Sequence, residues 1–259
     1  YLKETSLKHK LVSGEDIRVQ TLLSSTNLNE ILSFVEGYDL FVIDEGQHVK
    51  GIGLALKLLI DARSDLAIIA TGSSSFELAN QIGEPLTGRK RTLTLYPLSQ
   101  LELQKLYNTY ELKEKLEEWL IFWSYPEVVM LPTKQEKIIY LKELADSYLL
   151  KDILALENIK HSKILLDLLR LLAFQIGQEV SFNELATTLG VNTKTVERYI
   201  DLLEKTFIIF PLWAYSSNLR KEIRKKSKYY FWDLGIRNAI ISQFNELSLR
   251  QDTGALWEN

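Results

Sequence analysis

A short apolar segment that ends on two adjacent carboxylates constrains the fold of this chain more than any other feature. Residues 38–45 read Tyr-Asp-Leu-Phe-Val-Ile-Asp-Glu, and Gly37 and Gly46 bound them. The run is short and too continuously apolar to alternate, which predicts a strand buried on both faces of a parallel sheet. Because the ends of such strands face the ligand side of the sheet, Asp44 and Glu45 are expected there.

A second apolar run repeats this design but ends on hydroxyl groups. Residues 66–70 are Leu-Ala-Ile-Ile-Ala, and Thr71, Gly72 and Ser73 follow. The segment between the two runs, residues 53–63, has the length and the leucine content of a crossover helix. The pattern therefore predicts an α/β fold with neighbouring parallel strands.

The first predicted strand ends on two acidic residues, and its neighbour ends on hydroxyl residues. This pair resembles the Walker B and sensor-1 strands of AAA+ and related P-loop ATPases. The resemblance implies ATP and Mg²⁺ as cofactors. Asp44 would hold Mg²⁺ through its water shell, and Glu45 would orient or deprotonate the attacking water. Thr71 and Ser73 would lie near the γ-phosphate. On the two carboxylates alone a structural explanation stays open, because acidic residues also cap the helix after a strand.

Longer strings extend the resemblance over nearly the whole chain. They are similar to a family of archaeal and bacterial AAA-type ATPases whose members carry a conserved C-terminal domain of unknown function. The strings are FVIDEGQ (41–47), ATGSSSFEL (70–78), EPLTGRK (84–90), LYPLS (95–99), YPEVV (125–129), YLLKDI (148–153), TVERYIDLL (195–203) and KYYFWDLG (228–235).

The phosphate-binding loop of such an ATPase is missing from this sequence. No Gly-x-x-x-x-Gly-Lys-Ser/Thr motif occurs, nor any Gly-Lys pair. That loop supplies the backbone donors and the lysine that hold the phosphates. We expect it upstream of Tyr1, since family members carry a strand, a P-loop and a helix before a segment similar to residues 1–5. A degenerate ATPase core is the alternative.

Arg89 is a second candidate for phosphate chemistry. It lies in the glycine turn of residues 86–91, and family members show Thr-Gly-Arg at this place. The resemblance implies an arginine finger or sensor arginine, which neutralises charge on the γ-phosphate. The alternative is a solvated turn before a strand at residues 92–96.

Helical periodicity predicts most of the structure around these strands. Apolar spacing predicts a helix at residues 22–35, a short one at 75–81, and the helices of a connector at 101–120 and 134–150. An aromatic turn follows Phe122, and Trp123 and Ser124 stand where family members usually have two glycines.

A helix-turn-helix pattern begins near Ser162. One helix runs to Gly177, and Ser181 and Glu184 form a capping-box pattern before a second. A turn at Gly190 leads to a third helix at 194–205, which Asn192 or Thr193 would cap. Strands at 207–215 and 229–232 would add a wing, so residues 161–232 are predicted to form a winged helix-turn-helix domain.

Duplex DNA is the partner that this domain suggests, and its candidate contacts are basic. Lys194 and Arg198 lie on the outward face of the third helix, where acidic residues accompany them. The wing concentrates cations that suit phosphate contacts, although a solvated hairpin would look the same. The wing residues are Arg220, Lys221, Arg224, Lys225, Lys226 and Lys228.

Residues 233–259 are predicted to begin a further domain. In the resembling family, Glu258 and Asn259 open a helix that leads into a PD-(D/E)XK nuclease-like fold. Glu258 would be the first acid of that site, and alone it cannot hold the metal that a nuclease needs.

Composition narrows the remaining classes. The 259 residues carry a net charge of −3 and no cysteine, which excludes a disulfide framework, a thiolate metal site and a uniformly basic coat. The three histidines lack ligand spacing, and no apolar stretch is long enough to span a membrane, so a cytoplasmic protein is expected.

The sequence thus predicts an α/β protein built from an incomplete P-loop AAA-type ATPase core (1–97), a helical connector (98–160), a winged helix-turn-helix (161–232) and the start of a nuclease-like domain (233–259). The predicted function is ATP hydrolysis coupled to a DNA-binding module. The alternatives are a non-catalytic DNA-binding or regulatory protein with a relic core, and an ATPase-regulated nuclease. A homo-oligomer stays open.

Overall fold

The computed structural model describes residues 2–72, 86–149, 162–213 and 227–259. The chain groups into two compact units, which are named unit 1 (Tyr1–Leu93) and unit 2 (Thr94–Asn259). The helix predicted at 75–81 and most of the predicted wing lie outside the described residues.

Unit 1 is built on a three-stranded parallel sheet. Its strand order is β1-β2-β3, and the register pairs Ser13 with Asp44 and Ile43 with Ala70. The described elements in chain order are β1 (His9–Ser13), α1 (Ile17–Ser24), α2 (Leu28–Phe34), β2 (Leu40–Asp44), a 3₁₀ turn (Gly46–His48), α3 (Ile52–Ala62) and β3 (Ala67–Ala70).

The central strand β2 is buried as its sequence predicts. Leu40, Phe41, Val42 and Ile43 are all buried, and only Asp44 at the end of the strand is exposed. The crossover helix predicted at 53–63 is also confirmed, because α3 occupies this place and turns Ile52, Ala55, Leu56 and Leu59 into the core. Burial of aliphatic side chains on both faces of β2 fixes the position of its acidic end.

Two predictions for unit 1 are wrong in detail. The single helix expected at 22–35 is two helices, α1 and α2, separated at Ser25–Asn27. Thr26 has a left-handed backbone (φ 55°), and this run of small polar residues favours a turn over helix continuation. The strand expected at 92–96 does not form, because these residues pair with no strand in the described part of the chain.

Unit 2 is mostly helical. Its described elements are α4 (Gln100–Leu103), α5 (Thr109–Glu114), α6 (Leu116–Phe122), α7 (Pro126–Met130), α8 (Lys134–Glu143), a π-helical turn (Leu144–Leu149), α9 (Ser162–Phe174), α10 (Phe182–Leu189), α11 (Thr193–Lys205), β4 (Ile209–Leu212), β5 (Lys228–Phe231), α12 (Leu234–Ile240), a 3₁₀ turn (Leu247–Leu249) and α13 (Thr253–Glu258). None of the helices among the described residues is both long and apolar enough to cross a membrane.

One hydrophobic core runs through most of unit 2. It joins side chains of α6, α9, α10, α11, β5, α12 and α13, from Leu120 to Leu256. Helix α12 is buried along almost its whole length. The antiparallel pair of β4 and β5 follows α11 and packs on the same core. The grouping of the chain into two units does not test the predicted division into four segments, which stays a prediction.

The helix termini of the 162–205 region largely match the sequence. Gly190 ends α10 in the left-handed conformation (φ 66°), and Asn192 caps α11 by accepting a hydrogen bond from the Thr195 amide at 2.8 Å. The capping box predicted at Ser181 is wrong, because Ser181 occupies the cap position without a side-chain cap bond. The pattern therefore predicted the start of the helix correctly but not the hydrogen bond of the cap.

Replacing Gly235 by alanine is expected to destabilise unit 2 by about 1–3 kcal/mol, because a methyl group there overpacks the core. A Cβ atom at Gly235 would lie 2.3 Å from the backbone oxygen of Phe122. Gly254→Ala is the matched control, since a Cβ there meets nothing within 4 Å. All five tryptophans lie in unit 2, so tryptophan fluorescence during urea unfolding measures the change. Equal midpoints for the two variants would contradict this packing.

Candidate functional site

The carboxyl edge of the sheet in unit 1 brings three of the predicted residues together. Asp44 ends β2, Glu45 follows it, and Thr71 follows β3. The Thr71 hydroxyl donates a hydrogen bond to Asp44 Oδ1. The Thr71 amide donates to the Ile43 oxygen at 2.9 Å, and the Gly46 amide donates to the Thr71 oxygen at 2.8 Å. The sheet ladder thus continues past the strands and holds the acidic pair beside Thr71.

Glu45 has an unusual backbone at this edge. Its φ and ψ angles of 53° and 43° are left-handed, which costs a residue with a side chain about 1 kcal/mol or more. Gly14, just after β1, makes room for this turn, because a Cβ atom at Gly14 would lie 2.3 Å from the Glu45 oxygen. The Gly14 amide donates to the Asp44 oxygen at 2.6 Å. The end of β2 is therefore clamped from both neighbouring strands.

Gln47 positions the Glu45 side chain. It is buried in the 3₁₀ turn after β2, and its Nε2 donates to Glu45 Oε2. Glu45 itself is half-buried, whereas Asp44 is exposed. The two carboxylates therefore differ: Asp44 is open to solvent and bonded to a hydroxyl, and Glu45 is partly enclosed and bonded to an amide.

The donors at this edge fit a hard divalent cation bound with its water. Carboxylate and hydroxyl oxygens are the ligands that Mg²⁺ prefers, and Mg²⁺ is commonly held by one or two carboxylates together with phosphates. No group of three or more His, Cys, Asp or Glu side chains that could hold a metal occurs among the described residues. The set of Asp44 and Thr71 thus suits a metal that arrives with a phosphate ligand.

Arg89 does not join this cluster. Its guanidinium pairs with Asp61, and both side chains are about half exposed. Asp61 lies in the last turn of α3, whose first turn follows the acidic edge. Ten residues along a helix span about 14 Å, so Asp61 lies far from that edge. Within one chain, Arg89 is held away from Asp44.

The predicted nucleic-acid residues fall into three sets: two on α11, five outside the described residues, and Lys228 on β5. Lys194 and Arg198 lie exposed on α11, where Glu197, Asp201 and Lys205 share the surface and Lys205 pairs with Asp201 at 2.8 Å. Five of the predicted wing cations lie outside the described residues: Arg220, Lys221, Arg224, Lys225 and Lys226. Ser73, which was predicted to lie near the γ-phosphate, also lies outside them.

Lys228 and Glu258 contact each other at the end of unit 2. Lys228 Nζ lies 2.6 Å from Glu258 Oε1, to which the Tyr230 hydroxyl also donates at 2.7 Å. Hydrogen bonds from these two groups lower the pKa of Glu258. Gly177 packs against the same carboxylate, where a Cβ would meet Oε2 at 3.1 Å. Glu258 thus ties α13 to β5, and its role as a nuclease acid stays a prediction.

Sequence reasoning missed two residues of the acidic edge. Gly14 carries no motif, since only its contact with Glu45 across the sheet shows why glycine is needed. Gln47 lies in the string Asp-Glu-Gly-Gln, and its spacing of two from Glu45 could have indicated a partner across a tight turn.

The parallel sheet with its acidic central strand belongs to an AAA-type ATPase region, and residues 1–104 match the family model of an AAA domain. Residues 113–247 match the model of a domain of unknown function (DUF8612). The chain belongs to the family that this second domain defines.

Several curated relatives are similar to this chain, and each bears the name "Uncharacterized protein". One from Haemophilus influenzae is 29% identical over 213 residues, which are 78% of this chain and 52% of that protein. One from Methanocaldococcus jannaschii is 27% identical over 96% of this chain and 58% of its own length. One from Mycobacterium tuberculosis is 26% identical over 85% of this chain and 48% of its own length. The chain spans about half the length of these relatives, and no solved structure matches it.

Proposed function

We propose that the full-length protein hydrolyses ATP with Mg²⁺ at the carboxyl edge of β2. The observation that carries the proposal is the clamped Asp44-Glu45 pair, in which Glu45 keeps a left-handed backbone and Thr71 bonds to Asp44. Strain of this kind persists where the surrounding structure enforces it, and it is common at catalytic positions. The match of residues 1–104 to an AAA domain supports the same function.

Each residue of this edge has a distinct task in the proposed reaction. Bound Mg²⁺ would neutralise charge on the phosphates of ATP. Asp44 would hold the water shell of the metal, and the Thr71 hydroxyl would keep the Asp44 carboxylate in one orientation. Glu45 would accept a proton from the attacking water at its carboxylate, which is the task of a general base. Gln47 would hold that carboxylate in place through its bond to Oε2.

The pairing of Arg89 with Asp61 supports a role for Arg89 between subunits. Arg89 pairs with Asp61 in its own chain, at the end of α3 that is remote from the acidic edge, and in this proposal it acts on the ATP of a neighbouring copy. The pair is exposed and therefore weak, so it would open at little cost. An oligomer that places one subunit's arginine at the next subunit's phosphates is part of this proposal.

Asp44→Asn is expected to weaken the dependence of ATP turnover on Mg²⁺. The amide keeps the shape but loses the negative charge, so the Mg²⁺ concentration for half-maximal turnover should rise about tenfold or more. Steady-state phosphate release over a Mg²⁺ titration measures this. Asp65→Asn is the control, since Asp65 is exposed and pairs with Arg63. An unchanged Mg²⁺ requirement would remove Asp44 from metal binding.

A second function, duplex DNA binding, rests on helices α10 and α11. They are joined by a tight turn at Gly190, and the antiparallel pair β4-β5 follows, an arrangement that supports a winged helix. In this proposal α11 enters the major groove, and the nucleotide state of the ATPase region controls the DNA-bound module.

For that second function, Lys194→Ala and Arg198→Ala are expected each to weaken duplex binding and to alter the preference among sequences, because side chains of a helix in the major groove contact base edges. Fluorescence anisotropy with duplexes of several sequences measures both effects. Lys205→Ala is the control, because Lys205 pairs with Asp201 at the far end of α11. The absence of any duplex binding at 50 mM salt, about the low end of the usual range, would exclude the DNA function.

A further inference from the structure

Unit 2 contains a cavity that the proposed ATPase chemistry does not use. It has a volume of about 580 Å³ and lies between the end of α9, helix α12 and the start of α13. Ligand pockets of small molecules commonly measure about 300–1,000 Å³. Six lining residues matter here: Phe174, Gln178, Arg237, Gln243, Leu249 and Gln251.

A buried excess of positive charge lies at the base of this cavity. Arg237 and Arg250 share the single carboxylate of Asp252, to which their Nη atoms donate at 2.5 and 2.8 Å. The two arginine side chains are 1% and 0% exposed. Burial alone would raise the pKa of Asp252, but hydrogen bonds from both guanidinium groups bring it down to about 2, so the carboxylate is ionised. One carboxylate between two guanidinium groups leaves one positive charge uncompensated.

Part of the Arg237 guanidinium faces the cavity without a protein partner. Its Nε donates to the Ala173 oxygen at 2.9 Å, and its Nη1 donates to Asn238 at 3.0 Å as well as to Asp252. Within the described ranges Nη2 has no hydrogen-bond partner, and Arg237 lines the cavity. Arg237 is only 1% exposed, so little water can replace the missing protein acceptor, and a charge-assisted hydrogen bond to an anion would complete the site.

The charge and polarity of the lining residues determine which anion the cavity can bind. A single uncompensated charge matches a monoanion, whereas a dianion would add negative charge beside Asp252. Gln178, Gln243 and Gln251 offer neutral amides, and Phe174 and Leu249 are large apolar side chains that are 64% and 74% exposed. Pockets of this kind bind ligands with an apolar body and one polar anchor.

We propose that this cavity binds a small monocarboxylate with an apolar or aromatic body, whose carboxylate pairs with Arg237 and whose body packs on Phe174 and Leu249. The site lies within unit 2 and is independent of the ATPase function. Its ligand would act on the part of unit 2 that runs from α9 to α13, because the lining residues and Arg250 lie between Phe174 and Ala255.

Calorimetric titration of the protein with naphthoate tests the proposal, with the neutral naphthamide as the matched ligand. Naphthoate is expected to bind saturably and the amide at least about tenfold more weakly, because only the carboxylate compensates Arg237. Leu249→Asp should weaken naphthoate binding about tenfold or more, because it places a second negative charge in the cavity wall and this charge repels the carboxylate of the ligand. Leu106→Asp is the control, since Leu106 is similarly exposed in unit 2 and does not line the cavity.

Arg237→Gln is a second variant, and its fold is checked by tryptophan fluorescence before titration. A folded Arg237→Gln protein should bind naphthoate and naphthamide equally weakly. If it does not fold, the Leu249→Asp and Leu106→Asp pair still decides the matter. No saturable binding of naphthoate to the unaltered protein, equal affinity for the acid and the amide, or equal affinity of the two aspartate variants would each overturn the proposal.

Discussion

Glu45→Gln is expected to reduce ATP turnover by the full-length protein by about two to four orders of magnitude, the contribution of a positioned general base. The amide cannot accept the proton of the attacking water. Glutamine has the size of glutamate, and its side-chain oxygen can still accept the hydrogen bond from Gln47. The hydrogen bond between Thr71 and Asp44 is unchanged, so ATP binding should persist. Phosphate release under saturating ATP and Mg²⁺ measures the loss of turnover.

The matched control for Glu45→Gln is Glu15→Gln. Glu15 follows Gly14 at the same edge of the sheet, but its side chain is exposed, and its Oε1 lies 3.9 Å from His48 Nε2. Its replacement should leave turnover within about twofold, as an exposed charge contributes little. Turnover by Glu45→Gln equal to that of Glu15→Gln would remove Glu45 from the reaction.

Asp233→Asn is expected to change how the stability of unit 2 depends on pH. Asp233 caps α12 by accepting the Ile236 amide at 2.9 Å, and its other oxygen is buried with no partner among the described residues. Burial raises the pKa of Asp233 to about 8, although the backbone amides of Ile236, Gly235 and Ser124 lower it somewhat. Burial and the nearby Asp233 raise the pKa of Tyr125 to about 12.

The sign of this effect follows from proton binding. Between about pH 4, where an unfolded aspartate ionises, and about pH 8, the folded state holds a proton that the unfolded state has lost. The contribution of Asp233 to stability should therefore be fully present below about pH 4 and should fall by about 1.4 kcal/mol per pH unit across this window. Asparagine keeps the cap and does not titrate, so Asp233→Asn should lose this decline and exceed the unaltered protein at pH 8.

Urea unfolding followed by tryptophan fluorescence between pH 4 and 9 measures the two stability curves. Asp201→Asn is the control, since Asp201 lies exposed on α11 and pairs with Lys205. Parallel curves for the unaltered protein and Asp233→Asn would show that Asp233 is ionised in the folded state over the whole range.

Local patterns in the sequence predicted what local physics determines. The continuous apolar run of β2 required burial on both faces, and this placed Asp44 and Glu45 at the sheet edge. The single helix predicted at 22–35 is wrong because the polar run at Ser25–Asn27 forms a turn between α1 and α2, although the apolar spacing continues through it. Contacts between residues distant in sequence, such as Gly14 with Glu45 and Arg89 with Asp61, cannot be predicted from the spacing of residues.

Trp123 shows how a departure from a family pattern can be interpreted physically. It stands where the resembling family usually has glycine, and its φ and ψ angles of 56° and −149° lie in a region that glycine occupies readily and larger residues rarely do. The backbone at this position therefore has a conformation that suits glycine, although tryptophan occupies it. The sequence showed that residue 123 departs from the family pattern, and the backbone angles explain why glycine suits this position.

The nucleotide that stays bound to purified Glu45→Gln protein tests the central claim most directly. The full-length variant would be incubated with ATP and Mg²⁺, separated from free nucleotide, denatured and analysed chromatographically, beside the Glu15→Gln control. If the acidic edge of β2 is the hydrolytic site, Glu45→Gln retains ATP while the control carries ADP. ADP on both proteins would contradict the assignment of hydrolysis to Glu45.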